Sequence, residues 1–258
     1  RLKIMSLPEK KPRRSLNPWI SDALLIYILL AGAFLRFSGL LWGEFQYLHP
    51  DERFLIWVGT DIQPVDSLGD YFNTPESTLN PHNTGHSFYV YGTLPMFITR
   101  YMVEAVFGHS GFNEMTQAGR ALSSLADLLT ILLVYMVAER LYDRRVAVLA
   151  AAFSAAAVLQ IQQSHFFTMD TFINMFSFLA FYFAVRVATV NGKHTNVQRT
   201  TYNGQASVSE ENSTLYEVRS TKNFFRHPLF GLSIGFGVAL GMAVASKINA
   251  APMAAMVA

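Results

Sequence analysis

The chain has 258 residues, of which 51% are hydrophobic, 15% charged and 14% aromatic. A soluble domain carries about 25% charged residues, and here the apolar residues fall in runs, so the composition excludes an ordinary soluble domain and points to the membrane. With no cysteine and a net charge of only +2, disulfides and thiolate metal sites are excluded and no nucleic-acid partner is expected.

The chain begins at Arg1 without a Met and stops inside the apolar run "INAAPMAAMVA", which reads as the N-terminal portion of a longer protein. Residues 1–18 form a basic N-terminus. Trp19–Leu41 is then long and apolar enough for a first span, with Trp19 and Trp42 as interfacial anchors. It is too long for a cleaved signal peptide and lacks a clear small-residue cleavage site.

Residues 42–117 form a long loop with nine acids and only Arg53 and Arg100 against them. Its many aromatics predict order. "HPDERFLIWVG" reads as a short helix with Pro50 in its first turn and Gly59 at its end. In "GTLPMFITRYMVEAVFG", Leu94, Phe97, Ile98, Tyr101, Met102, Ala105 and Val106 keep helical spacing. Thr93 is the cap, Gly108 the stop, and Arg100 with Glu104 an i,i+4 pair on the polar face. At about 14 residues, roughly 20 Å, this helix is expected to lie in the interface rather than cross it.

Residues 118–189 hold three further spans, Ala118–Glu139, Val146–Gln163 and Asp170–Ala188. Residues 190–228 are rich in Asn, Ser and Thr and read as a mobile polar loop, whose Asn212 sequon is a chance match. Residues 229–258 hold a fifth span, Leu229–Lys247, and the start of a sixth near Ile248. The expected fold is thus all-α: a polytopic membrane helix bundle of about five to six transmembrane helices, with an outer loop carrying short amphipathic helices.

The basic residues orient it. With the N-terminus in the cytoplasm, 15 of the 20 Lys and Arg residues fall inside, as the positive-inside rule requires. The expected location is a cytoplasmic (inner) membrane, multi-pass, with the long first loop outside.

Several polar residues need a reason. Asp51 and Glu52 follow the first span on the outer side. Either they complement a helix dipole, worth about 0.3–1 kcal/mol each, or they accept a proton or bind a divalent metal. Asp170, with His165 five residues earlier, is a helix N-cap or a second acid at the same mouth. Lys247 and Arg120 either snorkel to the interface or hold a phosphate. Asp127 lies deep in the second span with Arg36 as its candidate partner, in a pair that orders the bundle or does chemistry. The outer His residues (His49, His82, His86, His109, His165) show no tight ligand spacing, and a structural zinc is not expected.

These features in order, "HPDE", "YGTLPMFITRYMVEAVFG", "AGRALSSLADLLTILLVYMVAERLYDRRVAVLAAAF", "QIQQSHFFTMDTFINMFSFLAFYFAVR" and "GLSIGFGVALGMAVASKINAA", resemble the GT-C glycosyltransferases. That group includes protein O-mannosyltransferases and the aminoarabinose transferase of lipid A. The resemblance implies a lipid-carrier-dependent enzyme that moves a sugar from a polyprenyl-phosphate donor to an acceptor outside the cytoplasm. It maps Asp51, with Glu52 beside it, onto the site of the base and Asp170 onto a second outer-loop acid. His49, Arg120, His165 and Lys247 become substrate contacts, Lys247 and Arg120 towards the lipid phosphate. Membrane lipid is the implied surrounding, no organic cofactor is implied, and a divalent metal on Asp51 and Glu52 is a candidate. The family usually has more spans and often a C-terminal outer domain, and Asp127 is not supplied by its pattern. The alternative is a non-catalytic multi-pass subunit that keeps the fold and packs against partners in a larger complex. A transporter using Asp127 and Arg36 is weaker, since the third span and most of the fifth are apolar.

Overall fold

The Asn17 side chain accepts a hydrogen bond from the Trp19 amide at 3.1 Å, and Pro18 needs no such partner, so the first helix starts at the edge of the apolar run. A computed structural model describes residues 16–44, 46–202 and 228–252, with the side chains of 191–202 and 249 outside the description. Nine helices are described: α1 (Pro18–Phe37), α2 (Pro50–Asp61), α3 (Leu68–Phe72), α4 (Leu94–Phe107), α5 (Phe112–Leu141), α6 (Arg144–Ala156), α7 (Val158–Ser164), α8 (Met169–Tyr202) and α9 (Pro228–Ser246). Short 3₁₀ turns lie at Pro81–Thr84 and Ile248–Ala250, and no strand occurs among the described residues. The protein is a polytopic helical membrane bundle.

Four helices are long and apolar enough to cross a bilayer: α1, α5, α8 through Val190, and α9. A fifth span exists if α6 and α7 are taken together, although they bend by 57° at their junction. The expected third span over Val146–Gln163 is thus a pair of helices joined at a bend. The cause lies on another helix. Arg36 of α1 donates from Nη1 to the Ala155 carbonyl (3.0 Å) and from Nη2 to that of Ser154 (3.3 Å). The Ser154 carbonyl keeps a 3.3 Å bond from the Ala157 amide, while that of Ala155 is turned to Arg36 in place of the helical ladder, and a side chain inserted into the ladder bends a helix. Arg36 also donates from Nε to Asp127 of α5 at 2.6 Å, with both side chains buried. The pair thus binds α1, α5 and α6 at the break in α6–α7. Its guanidinium is occupied by protein acceptors, which favours the ordering role over a transport path.

Helix α5 is the hub, packing on α1, α2, α4, α6, α7 and α8. Small residues let its neighbours approach: Ala147, Ala151 and Ala155 of α6 are buried with Ile28, Ile131 and Tyr135. A Cβ on Gly32 of α1 would sit 3.2 Å from Ile131. At 30 residues, about 45 Å, α5 outruns the hydrocarbon layer. It starts at Phe112 rather than Ala118, and its first turns pack Met115 against α2.

That extension is what organises the loop of 42–117. Leu55, Ile56, Val58 and Ile62 of α2, Leu79, Tyr89, and Met96 and Val103 of α4 share one buried core with Met115 and Ala118 of α5 and Phe167, Phe172 and Phe176. Gly59 does not end α2, which continues to Asp61; it is buried where a Cβ would collide with Met115. In α4, Gly108 ends the helix at φ 71°, whereas Thr93 makes no side-chain cap bond. Arg100 and Glu104 pair at 2.7 Å, yet Arg100 is buried and also donates from Nε to the Ile62 carbonyl and from Nη2 to Gln63, so it is a tie to α2 rather than part of a solvated face.

Three further boundaries move. Helix α1 ends at Phe37, short of Leu41, and turns follow. Helix α8 continues to Tyr202, so residues 190–202 are helical rather than loop; no proline interrupts them. After α9 the chain is extended at Lys247 and turns through Ile248–Ala250, so no α-helix starts at Ile248 itself, and the residues that would continue the expected sixth span lie outside the described ones. The basic N-terminal residues 1–15, residues 203–227 with the Asn212 sequon, and 253–258 lie outside the described residues.

Candidate functional site

Adjacent residues on a helix point about 100° apart, and this separates the two acids that open α2. Glu52 is fully buried and Asp51 is half-buried at the surface. The Arg120 guanidinium grips Glu52 through two bonds, Nε to Oε1 at 2.7 Å and Nη2 to Oε2 at 2.8 Å. The Phe167 amide donates to the same Oε1 at 2.9 Å. Arg120 Nη1 then takes the carbonyls of Leu40 and Trp42, at 3.0 and 3.1 Å, left free by the early end of α1, and the guanidinium lies 5.5 Å from the Trp42 ring centroid. A bidentate pair with its remaining lone pairs and protons satisfied is the one geometry in which buried opposite charges are tolerated.

This knot joins the end of α1, α2, α5 and the α7–α8 connection. It reassigns two expectations. Glu52 is buried rather than beside Asp51 at the surface, and the buried Arg120 guanidinium is taken up by Glu52 and the Leu40 and Trp42 carbonyls rather than turned to a lipid phosphate. The adjacent carboxylates therefore do not present two free ligands to a cation. Among the described residues no three His, Asp or Glu side chains converge on a metal position.

Asp51 meets a different group. The Tyr91 hydroxyl hydrogen-bonds Asp51 and lies in the field of Asp170. Loss of water around the phenol, then the Asp51 bond and the two carboxylate charges, push its pKa up from 10.0 to about 12. It stays protonated throughout the physiological range and donates to Asp51. The stability linked to this shift is present below pH 10 and is lost as pH rises towards about 12, where the unfolded chain has already released the proton.

Asp170 stands in the first turn of α8, where the helix dipole suits a carboxylate; the helix begins at Met169, so Asp170 is not the cap. Lys247, in the extended step after α9, donates from Nζ to Asp170 Oδ1 at 2.7 Å. Asp51, Tyr91, Asp170 and Lys247 thus form one polar group, drawn from α2, the 89–93 loop, α8 and the end of α9. Sequence reasoning had not singled out Tyr91. Its signal was the local run "YVYGT", aromatic residues beside one glycine.

Gly92 is why the loop fits. Any Cβ there would collide with the Ala245 and Ser246 backbone at the end of α9, and Tyr89 donates to the Gly92 carbonyl at 2.8 Å. Gly92→Ala should push the loop off α9, pull Tyr91 from Asp51 and cost about 1–3 kcal/mol by overpacking. A thermal melt and a transfer assay on the variant check this; unchanged stability with full activity would show that the loop has room to move.

The two histidines behave as braces. His165 Nδ1 lies 2.7 Å from the Ile161 carbonyl and Nε2 2.9 Å from that of Ser38, linking α7 to the end of α1. With both nitrogens so engaged, it is not placed as the substrate contact expected. The His49 ring packs against Phe166 with centroids 4.6 Å apart, and its Nδ1 is buried without a partner among the described residues. Trp42, His165 and Phe166, with Ser38, Gly39 and Gln162, line a groove of about 360 Å³. His86 pairs with Asp61 at 2.8 Å and His109 with Glu114 at 3.5 Å.

Compared with known proteins, residues 97–196 match the dolichyl-phosphate-mannose-protein mannosyltransferase family, a membrane glycosyltransferase family of the GT-C type. The matched stretch runs from α4 into α8 and contains Arg120, Asp127, His165 and Asp170, while Asp51, Tyr91 and Lys247 lie outside it. The resemblance seen in the motifs holds over this stretch. No curated protein and no solved structure matches the chain.

Proposed function

We propose that this chain, with glycosyltransferase sequence of the GT-C type over 97–196, moves a sugar from a polyprenyl-phosphate donor to an acceptor on the non-cytoplasmic side. The observation that carries the proposal is the grouping of Asp51, Tyr91, Asp170 and Lys247. Asp51 is the carboxylate still able to accept a proton, with Tyr91 orienting it. As an acceptor oxygen attacks the anomeric carbon, Asp51 takes its proton. The bond from that carbon to the phosphate oxygen breaks, and the lipid phosphate leaves with the electron pair. Lys247 stabilises the growing negative charge, and Asp170 holds the ammonium in place. A single displacement inverts the anomeric configuration. A divalent cation at this mouth would draw on Asp51 and Asp170 rather than on Asp51 and Glu52.

The acid-rich loop and the inward bias of basic residues support an outer position for this mouth. The test is transfer from polyprenyl-phosphate sugars by the purified protein in lipid nanodiscs, with released polyprenyl phosphate and product anomer both measured. Inverted product is the expected result. A retained configuration rules out the single displacement. Stoichiometric co-purification with other subunits and no turnover on any donor would instead make the chain a structural subunit.

A further inference from the structure

Helix α5 carries Arg120 in the buried knot with Glu52 and Arg140 twenty residues later, about 30 Å away, one hydrocarbon thickness. At that opposite end, α5 and α8 leave a pocket of about 490 Å³ lined by Met136, Glu139, Arg140, Tyr182, Arg186 and Thr189. Two guanidiniums enter it from different helices. Arg140 donates from Nε to the Thr189 hydroxyl at 2.8 Å. Arg186 donates from Nη1 to the Tyr182 hydroxyl at 2.8 Å and lies 5.6 Å from the centre of that ring. Each head is thereby oriented by a hydroxyl and still has unused donors.

The acid in the pocket is engaged elsewhere. Glu139 is bound by Arg144 Nε at 2.9 Å. The carbonyl end of α5 repels an anion, but two fixed guanidiniums carry four times its half charge. Arginine forks match the oxygens of a phosphate, and basic pockets between spans at the cytoplasmic surface suit phosphate-bearing headgroups. Pocket size is in the usual range for a small ligand.

We propose that this pocket binds a phosphate group at the inner membrane surface, held between Arg140 and Arg186 and far from the sugar-transfer mouth. The phosphate belongs to a lipid headgroup or is free in solution, and the experiment separates the sources. The full chain is placed in nanodiscs of phosphatidylcholine with or without phosphatidylglycerol, and bound lipid is counted by native mass spectrometry. Inorganic phosphate is titrated separately. Arg140→Gln and Arg186→Gln should each weaken phosphatidylglycerol retention about tenfold, while Arg145→Gln, at the same end but outside the pocket lining, should not. Arg186→Lys should recover part of the loss, which an unfolded variant would not. Inorganic phosphate binding with the same variant pattern and no lipid preference identifies the free anion as the ligand. Equal retention by all variants, or equal loss with Arg145→Gln, overturns the site in favour of diffuse surface charge.

Discussion

Asp51→Asn is expected to lower sugar transfer by about 10²–10⁴-fold, the usual contribution of a positioned general base. The amide has nearly the same shape, keeps an oxygen for the Tyr91 hydroxyl, and cannot take a proton from the acceptor. The loss should therefore appear in kcat, with donor KM changed little, because the interaction removed matters only as the acceptor oxygen is deprotonated. Stability should hardly move, since Asp51 is only half-buried. Full activity in this variant would remove Asp51 from the mechanism and with it the reading of the mouth as a transfer site.

Arg120→Met is expected to destabilise the protein by about 3–5 kcal/mol, the cost of stranding one buried charge by removing the other. Glu52 would lose both guanidinium bonds, and the Leu40 and Trp42 carbonyls would lose a donor. The end of α1, α2 and the α7–α8 connection would part from α5 together. Glu52→Gln should cost less than Arg120→Met in stability, since an amide oxygen still serves the Phe167 amide. Arg120→Met with Glu52→Leu should recover much of the loss, as apolar replacement of a whole buried pair often does. Thermal melts in detergent read these differences. The same samples sort positioning from chemistry: Glu52→Gln should retain transfer per folded molecule. A folded, fully stable Glu52→Gln protein without transfer would return Glu52 to the reacting atoms.

These two outcomes also divide what the chain reveals locally from what packing adds. The apolar runs, the amphipathic spacing of Leu94–Phe107 and its stop at Gly108 are properties of residues a few positions apart. Hydropathy and 3.6-residue periodicity therefore exposed four helices long enough to cross a membrane and the all-helical fold. The Arg36–Asp127 pair was also legible, because an ion in a span demands a partner and few were in reach. The expected direction of insertion rests on the charge asymmetry of the sequence alone.

The rest depended on neighbours far away in the chain. Nothing in the alanine-rich run before Ala157 signals a bend, since the donors that take its carbonyls sit on Arg36, more than a hundred residues earlier. Asp51 and Glu52 look alike in sequence. Only the docking of α5 against α2 turned one into a buried counter-ion of Arg120 and left the other to Tyr91. Tyr91 in turn reached Asp51 because Gly92 lets its loop lie against the end of α9. A sequence records which residues are charged and which prefer lipid; which charge loses its water, and to whom it is bound, is set by the burial that tertiary packing imposes.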